Sequence, residues 1–478
     1  MTEEDLCFLP ATELARLYRA GTISPREVMA AVLARIAAHD REVNSFVTVL
    51  GDQAMAEAEA AEQRFAAGTP RGPLEGVPVT VKDLTLTRGV ATQYGSVTRR
   101  GFIPDLDAPI VTRLREAGAI IIGKTTTPEF GWIGTGRSPL TGLTHTPWRI
   151  GLTAGGSSAG AGAAAAAGFG ALHQGSDAAG SVRLPAHFCG VYGLKPSYGR
   201  VPIHPVSNTD YTSHLGPLTR SVADAALMLA VMAGPHDWDH TSLEAPPADY
   251  PALLDQAPLD QAPLDQASGR PRLAYSADFG HARVDPEVAS LARAAAERLA
   301  SALGTELHDV TPPFGPAGPE LIRFFWPAHW AVHAPKLDQW RAEMDPGFVA
   351  CIEEGRSITM DRYQIMRERK YAYIRDINLF FADWDFLLSP AASVAAFPSE
   401  RLAPEGWAEH SWDWLAWAEF SYPFDLSGNP AASIPAGFTK DGLPIGLQIT
   451  GRRFDDLGVL QLSRAFERAA PWAARRPF

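Results

Sequence analysis

Lysine is nearly missing from this chain. Of its 42 basic residues only Lys82, Lys124, Lys195, Lys336, Lys370 and Lys440 are lysines, so any lysine kept in an apolar stretch invites attention. Cysteine is equally sparse: Cys7, Cys189 and Cys351 lie far apart and form no CxxC pair. That excludes a disulfide scaffold, gives no zinc pattern and fits a reducing compartment. The 13 histidines include no HExxH, which points away from metal catalysis, and no cofactor or metal is expected. The start, Met1-Thr2-Glu3-Glu4-Asp5, is acidic where a secretory leader would be basic. No apolar run approaches the ~20 residues of a membrane span; the nearest, Ala159 to Leu172, is short and mostly Ala and Gly. A net charge of −12 argues against a nucleic-acid partner. These absences lead to the expectation of a soluble, cytoplasmic, globular protein with neither membrane nor nucleic acid as partner.

What is present is an α/β pattern. Leu14, Leu17 and Tyr18 form a helical stripe ending at Gly21. Ser24-Pro25-Arg26-Glu27 is a capping box opening a helix that buries Val28, Val32 and Ile36. The Ala/Glu-rich run from Gln53 to Ala67 predicts a third helix. The period then changes. Gly76 to Lys82 and Ala119 to Gly123 are continuous apolar runs of the kind found in strands buried on both faces, with a helical segment, Ile110 to Ala117, between them. Ser221 and Asp224 suggest a second capping box for a helix reaching Met232. Later elements follow: a strand from Arg272 to Tyr275, a helix from Pro286 to Leu303, a strand from Ile445 to Ile449 and a helix after Asp456. Three Leu-Asp-Gln-Ala copies within residues 254–267 have too short a period for a solenoid and read as part of an exposed linker or loop at about 245–270. Residues 314–422 hold eight of the 12 tryptophans. They read as a helical region in which most aromatics pack a core and some line a substrate pocket.

Two glycine- and serine-rich loops carry the chemistry. Gly155-Gly156-Ser157-Ser158-Ala159-Gly160 precedes an Ala-rich helix, and lacks the pattern of a phosphate-binding loop. Gly175-Ser176-Asp177-Ala178-Ala179-Gly180-Ser181 follows an apolar segment; its small residues let backbone N–H groups approach a ligand, as an oxyanion hole requires. A serine nucleophile needs a base. Lys82 ends an apolar strand, where desolvation would lower its pKa, but Lys124 and Lys195 occupy comparable settings, and periodicity does not choose among the three.

A resemblance chooses. The segment Gly72 to Asp83, ending Val-Pro-Val-Thr-Val-Lys-Asp, resembles the lysine segment of the amidase signature family; residues 155–160 resemble its GGSSGG signature and residues 175–183 its GSDxGGSxR loop. Ser157 and Ser181 are 24 residues apart, as in that pattern, and further echoes stand at 193–196, 216–220, 428–430 and 446–448. The resemblance implies one domain spanning 1–478, an α/β amidase signature fold with a large mixed sheet covered by helices on both faces. It implies an amide hydrolase with Ser181 as nucleophile, Ser157 as a bridging serine carrying a cis peptide, and Lys82 as base. The backbone N–H groups of Ala178, Ala179, Gly180 and Ser181 would then hold the oxyanion. Asp177 and Arg183 match positions that hold the loop. The substrate would be a small-molecule amide or carbamate, bulky or aromatic rather than small in view of the tryptophans, with esters also open to such a triad; similar proteins are frequently homodimers. Two positions depart from the pattern: Ala159 and Ala179 replace glycines, and a methyl at Ala179 either crowds the loop or requires an L-compatible backbone there.

Two other readings compete. Gly156-Ser157-Ser158-Ala159-Gly160 satisfies G-x-S-x-G with Ser158 central, as in α/β-hydrolase esterases, but a poor strand precedes it. The catalytic component of a tRNA-dependent amidotransferase shares the signature and would work in a multisubunit assembly.

Overall fold

The computed structural model describes residues 1–209, 211–256 and 270–478. Residues 257–269 of the expected linker, with the second and third repeat copies, thus lie outside the described residues. Among those described, thirteen strands occur: β1 (Phe46–Val49), β2 (Pro78–Lys82), β3 (Ile120–Thr125), β4 (Arg137–Ser138), β5 (Gly142–Leu143), β6 (Leu172–Asp177), β7 (Tyr192–Lys195), β8 (His214–Thr219), β9 (Leu273–Tyr275), β10 (Leu307–Asp309), β11 (Phe386–Pro390), β12 (Ala431–Phe438) and β13 (Pro444–Gly451). Eleven form one mixed sheet in the order β1-β3-β2-β6-β8-β7-β12-β13-β11-β9-β10, and β4–β5 form a small ribbon. Helices flank the large sheet, so the expected α/β architecture holds. No described helix is long and apolar enough to cross a membrane.

Local signals set most boundaries. Ser24 accepts from Glu27 N–H and Glu27 reaches back, opening the helix Pro25–Val43. At Ser221 only half the expected box forms: its hydroxyl accepts from Asp224 N–H, while the Asp224 carboxylate turns to the N–H and hydroxyl of Thr12, at 3.0 and 3.1 Å. The tryptophan-rich region is helical over Gly318–Trp330, Pro346–Arg356 and Met360–Asp383, but also contributes β11 to the sheet, an element the aromatic content had masked.

Parallel pairing of β2 with β3 and of β2 with β6 brings their carboxyl ends to one edge, where open α/β sheets bind ligands. Lys82 ends β2 and Asp177 ends β6. Against these strands lies the helix Ala159–Ala167, every residue of it buried. Its composition follows from that packing. A Cβ at Gly160 would meet the Ser45 carbonyl oxygen at 2.2 Å, and one at Gly162 would meet Pro185 Cβ at 2.7 Å. Only a nearly side-chain-free helix fits there, and its amino end delivers Ser157 and Ser158 beside Lys82.

Candidate active site

Lys82 is fully buried. Its backbone N–H donates to Gln174 Oε1 at 3.1 Å, and the same oxygen accepts from Thr85 Oγ1 at 3.0 Å, so the end of β2 is held rigidly. The Nζ meets three hydroxyls: Ser157 at 2.7 Å, Ser158 at 2.9 Å and Ser176 at 2.9 Å. Desolvation drives its pKa well below the ordinary lysine value, with only the charge of Asp177 opposing. The other two buried candidates are placed elsewhere. Lys124 donates to the Thr85 carbonyl and to Thr87 and Thr92 hydroxyls, and Lys195 to the carbonyls of Asn429 and Pro196 at 2.5 and 3.2 Å. Burial lowers both to about 7, yet neither touches a serine of the two loops among the described residues.

The Gly156–Ser157 peptide is cis. Ser157 and Ser181, 2% and 3% exposed, line one cavity of about 360 Å³. No hydrogen bond links their hydroxyls among the described residues; such contacts often tighten only when substrate binds. Ser158 also meets Lys82 but is held by the backbone of Ser176. Its hydroxyl donates to the Ser176 carbonyl at 3.1 Å and accepts from the Ser176 N–H at 3.2 Å, and it does not line the cavity. No strand precedes it and no described histidine bonds to it, so the esterase reading lacks its parts.

The loop from 177 to 183, which carries Ser181, is pinned by Asp177. Its carboxylate accepts from the N–H groups of Gly180 (2.6 Å), Val182 (3.1 Å) and Arg183 (3.4 Å), and from the Arg183 guanidinium at 3.0 Å. Arg183 is itself fully buried and bridges Asp177 to Asp425, with 2.6 Å to the latter. Arg183 holds Asp177 well below the usual carboxylate range despite burial. Asp425, for which desolvation outweighs the shared guanidinium, is pushed up. The Gly180 N–H is thus already engaged, while those of Ala178, Ala179 and Ser181 find no intramolecular acceptor among the described residues. Gly180 has φ +104°, and a Cβ there would meet Ser421 Oγ at 2.6 Å. Ala179 is not among the positive-φ residues; it is fully buried and its carbonyl accepts from Ser421 Oγ at 2.8 Å. The backbone there is L-compatible, and the methyl is absorbed by the core.

Of the eight tryptophans in 314–422, Trp326 and Trp330 reach the cavity; Trp412, Trp414 and Trp417 are buried in a core. The Trp330 indole N–H is buried without an acceptor among the described residues. Sequence reasoning missed the rest of the wall: Tyr94, Arg99, Phe130, His333, Lys336 and the 203–209 segment, which holds a cis His204–Pro205 bond. No local pattern marks these residues, because loops distant in sequence assemble them.

A family model for amidases matches residues 27–460. The chain belongs to the amidase family. It is 38% identical to an acylamidase of Rhodococcus erythropolis over 100% of this chain and 98% of that protein. It is 36% identical to a glutamyl-tRNA(Gln) amidotransferase subunit of Synechococcus sp. strain RCC307, over 96% and 97% of the two chains. Among solved structures, 6-aminohexanoate cyclic dimer hydrolase in complex with its substrate superposes with a TM-score of 0.87 at 29% identity, covering 98% of this chain and 99% of that one. A bacterial aryl acylamidase of the amidase signature enzymes gives the same TM-score at 27% identity, covering 98% and 97%. This amidase is accordingly a hydrolase of amide C–N bonds.

Proposed function

We propose that this amidase hydrolyses bulky or aromatic amides through an acyl-enzyme on Ser181, with Ser157 as proton relay and Lys82 as base. The observation that carries the reading is the Lys82 Nζ contact with Ser157 Oγ at 2.7 Å, beside a cavity that Ser157 shares with Ser181. Hydrogen-bond bookkeeping gives the proton a direction. A neutral amine has two N–H donors and one lone pair. The Ser158 hydrogen is committed to the Ser176 carbonyl, so Ser158 accepts from Lys82. If Ser176 takes the second N–H, the lone pair remains for the Ser157 hydroxyl. Ser157 passes that proton to Lys82 while taking one from Ser181, whose oxygen attacks the carbonyl. The N–H groups of Ala178, Ala179 and Ser181 receive the oxyanion. Ser157 then protonates the departing nitrogen, since an amide anion leaves poorly, and water activated by the same relay releases the acyl group.

Trp326, Trp330, Tyr94 and Phe130 on the wall favour aromatic over small aliphatic substrates, with aryl carbamates and esters as secondary substrates. The test is fluorophosphonate labelling with mass spectrometry, together with hydrolysis of an acyl anilide, its ester and its carbamate by wild type and by Ser181→Ala, Ser157→Ala and Lys82→Ala. An adduct on Ser181 and loss of turnover in all three variants is expected; an adduct on Ser158, or full activity of Ser181→Ala, overturns the reading. The amidotransferase reading rests on the 36% relative. It would displace this one if the purified chain were inert on anilides and gained glutaminase activity only with partner proteins.

A further inference from the structure

Two positive side chains in the cavity wall have no carboxylate partner among the described residues. Elsewhere, several buried or half-buried arginines are paired: Arg64 with Glu75, Arg137 with Asp345, Arg183 with Asp177 and Asp425, Arg323 with Asp413 and Glu419. Others, Arg113 and Arg220, spend their N–H groups on backbone carbonyls. Arg99 and Lys336 line the catalytic cavity and form no ion pair among the described residues. Each instead rests on an aromatic ring. Lys336 Nζ stands 4.0 Å from the Phe130 ring centre, and the Arg99 guanidinium 4.9 Å from that of Phe102 and 5.5 Å from that of Tyr94; the Phe130 and Tyr94 rings are 5.8 Å apart. Lys336 also contacts His333 Nδ1 at 3.0 Å. Burial and the neighbouring cations hold His333 far down, at about 3, so it accepts from the ammonium and adds no charge. Glu129 is nearby, but its carboxylate is occupied by the Ser96 hydroxyl at 2.7 Å and the Asp345 N–H at 2.8 Å, and burial raises it to about 7. Lys336, lowered to about 8 by burial and by Arg99, is largely charged at neutral pH.

The location matters as much as the charge. Phe130 precedes Gly131, where an added Cβ would stand 3.0 Å from Ser157 Oγ. The cationic wall therefore begins one residue from the glycine packed against Ser157, the serine that, on the proposed mechanism, hands its proton to the leaving nitrogen. Positive charge that no ion pair neutralises directly, in a partly buried cavity, attracts an anion. A neutral amide would gain nothing from it. We propose that the preferred substrates carry a carboxylate on their amine portion, held between Lys336 and Arg99 while the aromatic rings of the wall take the apolar part. This rests on the amidase reading for the orientation of the scissile bond.

The probes are 4-acetamidobenzoate, whose carboxylate lies on the amine side, its neutral analogue 4-methylacetanilide, and succinanilate, whose carboxylate lies on the acyl side. Binding to the Ser181→Ala protein is measured by calorimetry, and kcat/KM on wild type, Lys336→Gln, Arg99→Gln and Lys336→Arg. The expected result is that 4-acetamidobenzoate binds about tenfold or more tighter than the neutral analogue, a difference of the size one partly desolvated charge pair gives. Each glutamine variant should remove most of that ratio, and Lys336→Arg should keep it, which separates charge from mere folding. Equal binding of the two anilides, a ratio unmoved by both glutamine variants, or a preference for succinanilate alone would overturn the proposal. If 4-acetamidobenzoate binds preferentially but no anilide is turned over, the anion site stands and the amidase reading fails. If the neutral anilide is turned over without any carboxylate preference, the reverse holds.

Discussion

Among the described residues, two hydrophobic cores are built from different materials. The larger, around the sheet, is mainly aliphatic: Val79, Val81, Ile120, Ile121, Ile122 and the alanines of the helix Ala159–Ala167. The smaller is aromatic, with Trp132, Trp326, Trp412, Trp414, Trp417 and many phenylalanines. Lys82, Ser157 and Ser176 come from elements of the first core; around Ser181, Val182 packs into the first and Ala179 and Leu184 into the second. The proposed catalytic groups therefore stand at the seam. On the aliphatic side, small residues and short strands leave the backbone almost no freedom, which suits groups that must be held to tenths of an ångström. On the aromatic side, large rings fill space in many equivalent ways, which suits a wall whose job is to match a substrate.

The comparison predicts different failures on the two sides. The largest effect is chemical: Ser181→Ala or Lys82→Met should lower kcat by roughly 10⁴-fold or more, and the double variant should lose little beyond either single one, since relay members act as a unit. Single-turnover kinetics would measure it, and additive losses would count against a shared relay. Next comes the buried charge at the seam. Arg183→Met leaves Asp177 and Asp425 without their common counter-charge, and should cost roughly 3–5 kcal/mol in urea unfolding. Within the aromatic core, Trp414, whose indole donates to the Trp132 carbonyl at 3.0 Å, should lose about 3–5 kcal/mol on truncation to alanine. Trp330→Ala at the cavity should instead act mainly on KM for aromatic amides, with a smaller stability loss. Similar stability and KM effects for the two would erase the distinction between packing and substrate wall.

The smallest effects are pH-dependent. On the proposed mechanism Lys82 must be neutral to accept a proton, and burial lowers its pKa, so kcat/KM should fall on the acid side and stay level through mildly alkaline pH. The carboxylate preference should run the other way. Lys336, facing Arg99, His333 and Glu129, loses its proton as pH rises through about 8, so the ratio of charged to neutral anilide turnover should decline there by up to about tenfold.

Much of this was legible in the chain. The capping box at Ser24, the buried strands expected over 76–82 and 119–123 (the second running on to Thr125), and the two small-residue loops are local features, because caps, periodicity and close backbone approach constrain residues only a few positions apart. The family resemblance singled out Lys82 from Lys124 and Lys195; burial alone would not have done so, since all three are fully buried and lowered. Other features needed the folded molecule. The Asp224 carboxylate left its own helix for Thr12, 212 residues away; the tryptophan-rich stretch hid β11; and the Gly180 N–H was drawn to Asp177. The candidate catalytic segments were written into the order of residues, because backbone conformation and desolvation at those points admit few residue types. Which tryptophans meet the substrate, and which cations share its cavity, depended on the folded arrangement. Those walls join residues 94–99, 130, 203–209 and 326–336, and contacts between segments so distant leave no periodic trace in either one.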